Sequence, residues 1–372
     1  MSPVESTLAA LVGFPTVSSH PVEAIAAYLA DRCSSAGMRV ERFDTSPGKC
    51  NVVASAGPVG TDGLVISGHM DVVPVAGQPW TSDPFVLTAR GDRWVARGSA
   101  DMKGFLAATV EALPSIPLAR LQRELVLVYT HDEEVGCLGS RAVADRLVAE
   151  GRTLPSLCLI GEPTSYRILR MHPGHVAMRV VCAGRAAHSS KPDLGVSAIR
   201  LASRVLDALD RLAADWRAET RFAELLERPF VVMNVATIQG GSAINIVPDR
   251  CVIELGFRPL PGMDIDALCA QVTDRVGGLG PVSTEILRIT PPMLTPEGTD
   301  LERILRPHAL DSRLGAASFA TDGGNFERLG TRTLVFGPGS IDVAHMADEY
   351  VPVDELNRAV GMVADVATRR CV

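Results

Sequence analysis

No CxxC pair occurs in this 372-residue chain. Its eight cysteines stand singly at positions 33, 50, 137, 158, 182, 251, 269 and 371, several inside apolar runs such as Leu157-Cys158-Leu159-Ile160. Single thiols in apolar surroundings are expected to be reduced and mostly buried, as in a cytoplasmic protein, and a redox role has no motif behind it. No apolar run approaches the roughly 20 residues that cross a bilayer, so no membrane association is expected. The first ten residues place Glu5 early and lack a basic stretch followed by an apolar core, so no secretory signal is expected. There is no basic cluster, and a net charge of -7 argues against nonspecific nucleic-acid binding. Internal repeats and low-complexity tracts are also missing. What remains is 47% hydrophobic and 21% charged, the composition of an ordinary globular protein. The length exceeds the roughly 250 to 300 residues at which single cores stop growing, so two domains are expected.

The chain opens with helical spacing from Ala24 to Ala36, closed by Gly37. Short apolar runs bounded by turn residues follow at Leu64 to Ile66, Leu125 to Tyr129, Leu157 to Ile160 and Leu334 to Phe336, as in strands covered on both faces. Helical stretches at Met102 to Leu113 and Arg141 to Ala149 alternate with them, which predicts an α/β domain on a mixed, mainly parallel sheet. The stretch between Glu162 and His345 is far too long for a loop. From about Gly174 it reads as a strand (His175 to Cys182), a long amphipathic helix (Val196 to about Ala213, with Ile199, Leu206, Leu209 and Leu212 at helical spacing) and strands at Phe230 to Ile238 and Cys251 to Phe257. A helix from Asp264 to Val276 and a strand near Val282 to Ile289 complete it. This β-α-β-β-α-β order predicts a ferredoxin-like α+β domain inserted at 174–287, with the first domain formed by 1–173 and 288–372.

Candidate site residues follow the ends of the first domain's apolar runs: His69, with Asp71 two residues on, then Glu133 and Glu134, then Glu162, and finally His345. Open α/β sheets keep their sites at the carboxyl ends of strands. Each residue alone has a plainer reading. An isolated histidine at a strand end is usually packed or on the surface, Asp101 at the mouth of a helix is also placed as an N-cap, and Gly161-Glu162-Pro163-Thr164 alone is only a turn. Glu133-Glu134 is the most informative pair, because adjacent carboxylates repel each other unless a cation is near, although a solvated acidic loop has the same sequence. Adjacent residues point different ways, so one can ligate a metal while the other faces a substrate as a general base. Together these residues read as one hydrolytic metal site.

The motifs also carry a resemblance. Gly68-His69-Met70-Asp71-Val72-Val73-Pro74, Trp80 with Asp83-Pro84-Phe85, Ala100-Asp101-Met102-Lys103-Gly104, Asp132-Glu133-Glu134, Gly161-Glu162-Pro163-Thr164 and His345 with Asp348-Glu349 stand in one order along nearly the whole chain. This order resembles the co-catalytic zinc aminoacylases and carboxypeptidases. Gly174-His175, His188-Ser189-Ser190, Arg258-Pro259-Leu260-Pro261-Gly262-Met263 and Gly337-Pro338-Gly339-Ser340-Ile341 are most similar to the acetylornithine deacetylase branch.

The resemblance implies that Asp101 bridges two divalent metal ions, zinc or cobalt, with His69 and Glu162 completing one site and Glu134 and His345 the other. It implies Glu133 as general base, Asp71 as the carboxylate that orients His69, and a cis peptide before Met102. It further implies a homodimer through the inserted domain, with His188 reaching the partner's active site as an oxyanion donor; on sequence alone His188 is equally a surface histidine. Arg258 would grip the substrate carboxylate, for which its planar fork is suited, or form a surface ion pair. Asn245 is a weaker candidate for the same carboxylate, and the loop around Gly339 would present backbone amides to it.

One segment departs from the branch, which usually carries Thr-Glu-Ala-Pro-Phe before the last strand. Here Thr321-Asp322-Gly323-Gly324-Asn325-Phe326 is one residue longer, with a shorter carboxylate. If Asp322 reads a distal ammonium of the substrate, it leaves room for a different or longer side chain. The expected reaction is hydrolysis of the amide of a small N-acyl amino acid, N-acetylornithine or a related N-acetyl amino acid. The alternatives are a dipeptidase or succinyl-diaminopimelate desuccinylase-like hydrolase, and a non-catalytic binding protein on the same fold.

Overall fold

The computed structural model describes residues 1–372, which form two compact units. The first comprises Met1–Met171, Met293–Ala316 and Thr321–Val372, and the second His172–Pro292 with Ala317–Ala320.

The first unit is built on a mixed sheet whose main path runs Arg39–Ser46, Lys49–Ala56, Leu125–Thr130, Leu64–His69, Leu157–Ile160, Arg332–Val335, Leu169–His172, Met293–Leu294. The four central strands, from Leu125–Thr130 to Arg332–Val335, are mutually parallel, and the two at the amino-terminal edge are antiparallel. Strand alternation divides their side chains between two cores. Leu64, Ile66, Leu125, Leu127 and Tyr129 pack with the helices Pro3–Val12, Glu23–Ser35, Lys103–Ala112 and Val353–Cys371. Val65, Val126, Val128, Cys158 and Val335 turn to the other face, against Val143 and Leu147 of the helix Leu138–Ala149. Burial on both faces explains why these strands read as unbroken apolar runs.

The second unit is a four-stranded antiparallel sheet in the order Val232–Gly240, Arg250–Arg258, His175–Ala183, Val282–Thr290. The helices Ala198–Ala218 and Ile265–Gly277 share one core with it, in the order expected for a ferredoxin-like unit. The last strand continues to Thr290, beyond position 287. The long helix starts after Ser197, whose hydroxyl accepts from Arg200 N, and runs five residues past Ala213 to bury Trp216 against Phe257. Its buried stripe is Leu201, Val205, Leu209, Leu212 and Trp216, while Ile199 is exposed. All eight cysteines are buried and none is in a disulfide, and no helix is long and apolar enough to cross a membrane.

Candidate metal centre

His69 is the last residue of its strand and is almost fully buried. Its Nδ1 lies 2.9 Å from the backbone carbonyl of Asp71, which fixes the ring and leaves Nε2 facing Asp101 Oδ1 at 2.9 Å and Glu162 Oε1 at 3.7 Å. The other oxygen of Asp101 faces His345 Nε2 at 3.2 Å, and His345 Nε2 also lies 3.0 Å from Glu134 Oε2. Asp101 therefore shares its two oxygens between two histidine–carboxylate sets, His69 with Glu162 and His345 with Glu134.

These carboxyl groups are hard to keep ionised side by side. Burial pushes Glu162 well above the usual carboxylate range and Glu134 up to about 7, in both cases reinforced by the charge of Asp101. Burial also opposes ionisation of Asp101, but its hydrogen bonds with His345 and His69 win and hold it below the ordinary value. Hydrogen bonds to Asp101 and Glu134 raise His345 to about 10. Burial lowers the affinity of His69 for a proton, yet its bond to Asp101 and the charge of Glu162 carry it well above the usual histidine value. Imidazole nitrogens and carboxylate oxygens in two sets joined by one carboxylate are the donor chemistry of a pair of divalent cations. The residues present fit that group.

A frame of buried polar groups holds the donors. Glu349 Oε1 accepts from the amides of Ala100 and Asp101 at 2.9 and 3.0 Å, and its Oε2 accepts from Arg97 at 2.5 Å. Arg97 also donates to Gln78 at 2.6 Å, and Gln78 donates to the backbone carbonyl of His345 at 2.8 Å. One buried arginine thus links the chain at Asp101 to the chain at His345. Sequence reasoning missed Arg97 and Gln78; the only signal for them was Glu349, in the segment that follows His345. The Asp101–Met102 peptide is cis.

The carboxylate of Asp71 lies beside the His69 ring, with Oδ1 3.6 Å from Nδ1. It accepts from Ser18 Oγ at 2.7 Å and from the amides of Glu133 and Glu134 at 3.0 and 3.3 Å, and so orients the acidic pair through its backbone. The shorter contact to the His69 ring, at 2.9 Å, comes from the main-chain carbonyl of Asp71. Burial pushes the carboxyl of Glu133 well above the usual range, with Glu162 and Glu134 acting in the same direction against His69. Glu133 Oε1 accepts from Cys137 Sγ at 3.4 Å.

Two expected substrate contacts are placed otherwise. The amide of Gly339 already donates to Glu355 Oε2 at 2.8 Å and that of Gly337 to Thr164 Oγ1 at 3.2 Å, so neither is available to a substrate carboxylate. Asp322 is only 2% exposed, accepts from Thr130 Oγ1 at 2.6 Å and sits beside Glu133 and Cys137. Its carboxylate thus faces Thr130 and the Glu133–Cys137 pair.

His188, Asn245 and Arg258 lie in the second unit. His188 and Asn245 come together in neighbouring loops, where Ser189 N donates to the carbonyl of Asn245 at 3.0 Å and His188 bridges Ile246. His188 Nδ1 accepts from Ser190 N at 3.1 Å, so in the neutral ring the proton sits on Nε2. Arg258 ends its strand half-buried, and no carboxylate partners its guanidinium. Burial lowers its pKa.

Residues 65–369 match peptidase family M20/M25/M40. The chain is 33% identical to the acetylornithine deacetylase of Myxococcus xanthus, over 99% of this chain and 97% of that protein. It is 32% identical to the acetylornithine deacetylase of Edwardsiella ictaluri (strain 93-146), over 93% and 92%. In fold it is similar to an M20-family metallo-carboxypeptidase of Sulfolobus solfataricus, with a TM-score of 0.82 at 19% identity over 99% of both chains. A dinuclear metal-binding M20 peptidase of Bacillus subtilis gives 0.68 at 14% identity over 98% of both.

Proposed function

The chain belongs to peptidase family M20/M25/M40, and on that premise we propose that this metal-dependent amidohydrolase removes an acetyl group from the α-nitrogen of an amino acid with a free carboxylate. The observation that carries this reading is the division of the two Asp101 oxygens between the His69 and His345 sets, with Glu133 alongside. His69 and Glu162 would hold one cation, Glu134 and His345 the other, and Asp101 both. Two such cations, zinc or cobalt, supply a lowered pKa for water, polarisation of the amide carbonyl and a counter-charge for its oxygen.

Glu133 takes the proton from the attacking water and returns it to the leaving nitrogen, because an amide nitrogen leaves poorly until protonated. Burial suits it to this work by raising its affinity for a proton. Asp71, gripping the amides of Glu133 and Glu134, keeps base and ligand in fixed relation. Arg258 binds the substrate carboxylate; in support, it is a half-buried guanidinium without a protein carboxylate to neutralise it. His188, with its proton on Nε2, donates to the developing oxyanion across a homodimer of the second unit. Ile244, fully exposed, and Ile246, 41% exposed, flank Asn245 and give that loop an apolar surface consistent with such pairing.

N-acetylornithine is the first substrate to test, given the deacetylases to which the chain is similar. The experiment is amine release from N-acetyl, N-formyl and N-succinyl amino acids and dipeptides, with each N-acetyl amino acid compared with its methyl ester. Fast turnover of free acids is expected, and Arg258→Ala should lose most of its activity on acids while changing little on esters. Equal losses on both would remove Arg258 from carboxylate recognition. Turnover of dipeptides alone would replace the deacetylase reading with a peptidase one.

A further inference from the structure

Besides the two histidine–carboxylate sets there is a further group of donors that the hydrolytic reaction does not use as a set. Glu133, Cys137 and Asp322 each bring one ligand atom, and the three atoms lie within 4.8 Å of one another. Cys137 caps the amino terminus of the helix Leu138–Ala149 in a left-handed conformation (φ 56°), and its thiol donates to Glu133 Oε1 at 3.4 Å. Asp322 is held through Oδ2 by Thr130, while its Oδ1, fully buried, has no hydrogen-bond partner. An unpaired buried carboxylate oxygen is costly, so this cluster is one donor short of satisfaction. Glu133 is the least buried of the three, which leaves a way in from the site.

The donor types decide what fits. A thiolate with two carboxylates suits a borderline-soft divalent cation such as Zn²⁺, Co²⁺ or Cd²⁺ and disfavours Mg²⁺ or Mn²⁺. Bonds of about 2.0 to 2.3 Å put tetrahedral ligand atoms roughly 3.3 to 3.8 Å apart, a modest contraction from the present spacing. The helix terminus favours the negative charge that Cys137 would carry as a ligand.

We propose that Glu133, Cys137 and Asp322 form a third, weaker cation site, and that a zinc-like ion seated there switches hydrolysis off by occupying the general base. Binding releases the thiol proton to solvent and replaces the S–H···Oε1 contact with bonds from sulfur and both carboxylates to one ion. The inference rests on the two-cation reading above, and its test separates the two.

Metal-free protein is titrated with Co²⁺ while bound equivalents are counted by equilibrium dialysis and the near-ultraviolet thiolate-to-cobalt absorption is recorded. The first two equivalents should bind without that band, since their donors are nitrogen and oxygen only. A third, at least tenfold weaker, should bring the band, and amine release should fall as the band grows. Cys137→Ser should keep the first two equivalents and lose the third together with the band, and Asp322→Asn should weaken the third at least tenfold. Excess Cd²⁺ should inhibit the wild type and excess Mn²⁺ should not. Silent binding of two equivalents with no band at any excess, or a band that survives in Cys137→Ser, would overturn the third site alone. Failure to bind even two equivalents would overturn the two-cation reading instead. The other seven cysteines are buried and lie in no donor cluster, so the band has one source.

Discussion

Glu133 is placed by its backbone, since its amide and that of Glu134 both point at Asp71. Its side chain can therefore be changed without losing the turn. Glu133→Gln should keep the fold and both cations while hydrolysis falls by about 10³-fold or more, because proton transfer at both the water and the amine is lost. Near-normal turnover in a variant of unchanged metal content would remove Glu133 from the mechanism. A second residue reports chiefly on burial. The carboxyl of Glu327 is pushed up to about 7 by burial, against the hydrogen bond from Leu294 N. A carboxyl raised in the folded state destabilises it only when charged, so the penalty is absent below about 4.5, grows as pH rises and is complete above about 7. Glu327→Gln keeps an acceptor for Leu294 and should be more stable than the wild type by roughly 1–2 kcal/mol at pH 8, with no advantage at pH 4. Equal thermal unfolding at both pH values would contradict this. Residue types were legible in the sequence as donors, but their partners were not. That Asp71 serves the Glu133–Glu134 amides, that Glu355 takes the amide of Gly339, and that Asp322 lies beside Glu133 depend on contacts between segments far apart in the chain.

At the scale of elements, the central parallel strands explain why the donors meet. His69, the Glu133–Glu134 turn and Glu162 lie at or just beyond the carboxyl ends of neighbouring strands, so sheet register alone brings them together. Apolar runs ending in polar residues made that much readable. Gly161 shows how tightly the strand end is held, for a Cβ there would meet the buried Phe105 ring at 2.0 Å. Gly161→Ala must push apart the strand end carrying Glu162 and the helix Lys103–Ala112 that follows Asp101. The expected result is a loss of at least about 2 kcal/mol and weaker metal retention. An unaltered melting temperature in that variant would contradict the packing argument. Helix limits were less legible, because the long helix of the second unit extends to Trp216 for a contact with Phe257, a residue in a strand far along the chain.

Across the whole molecule, the proposed donors of both cations belong to the first unit, while Arg258, Asn245 and His188 belong to the second. Hydrolytic chemistry and the proposed recognition of the substrate carboxylate are thereby carried by separately packed cores. The β-α-β-β-α-β order of the second unit was legible because its strands alternate and its helices carry one apolar face. Metal dependence is read from amine release from N-acetyl amino acids by one preparation, before chelation, after it, and during stepwise return of Zn²⁺ or Co²⁺ with bound metal counted. Hydrolysis should be lost in the metal-free protein and return in full as the second equivalent binds. Undiminished hydrolysis by protein free of metal would rule out a metal-dependent reaction.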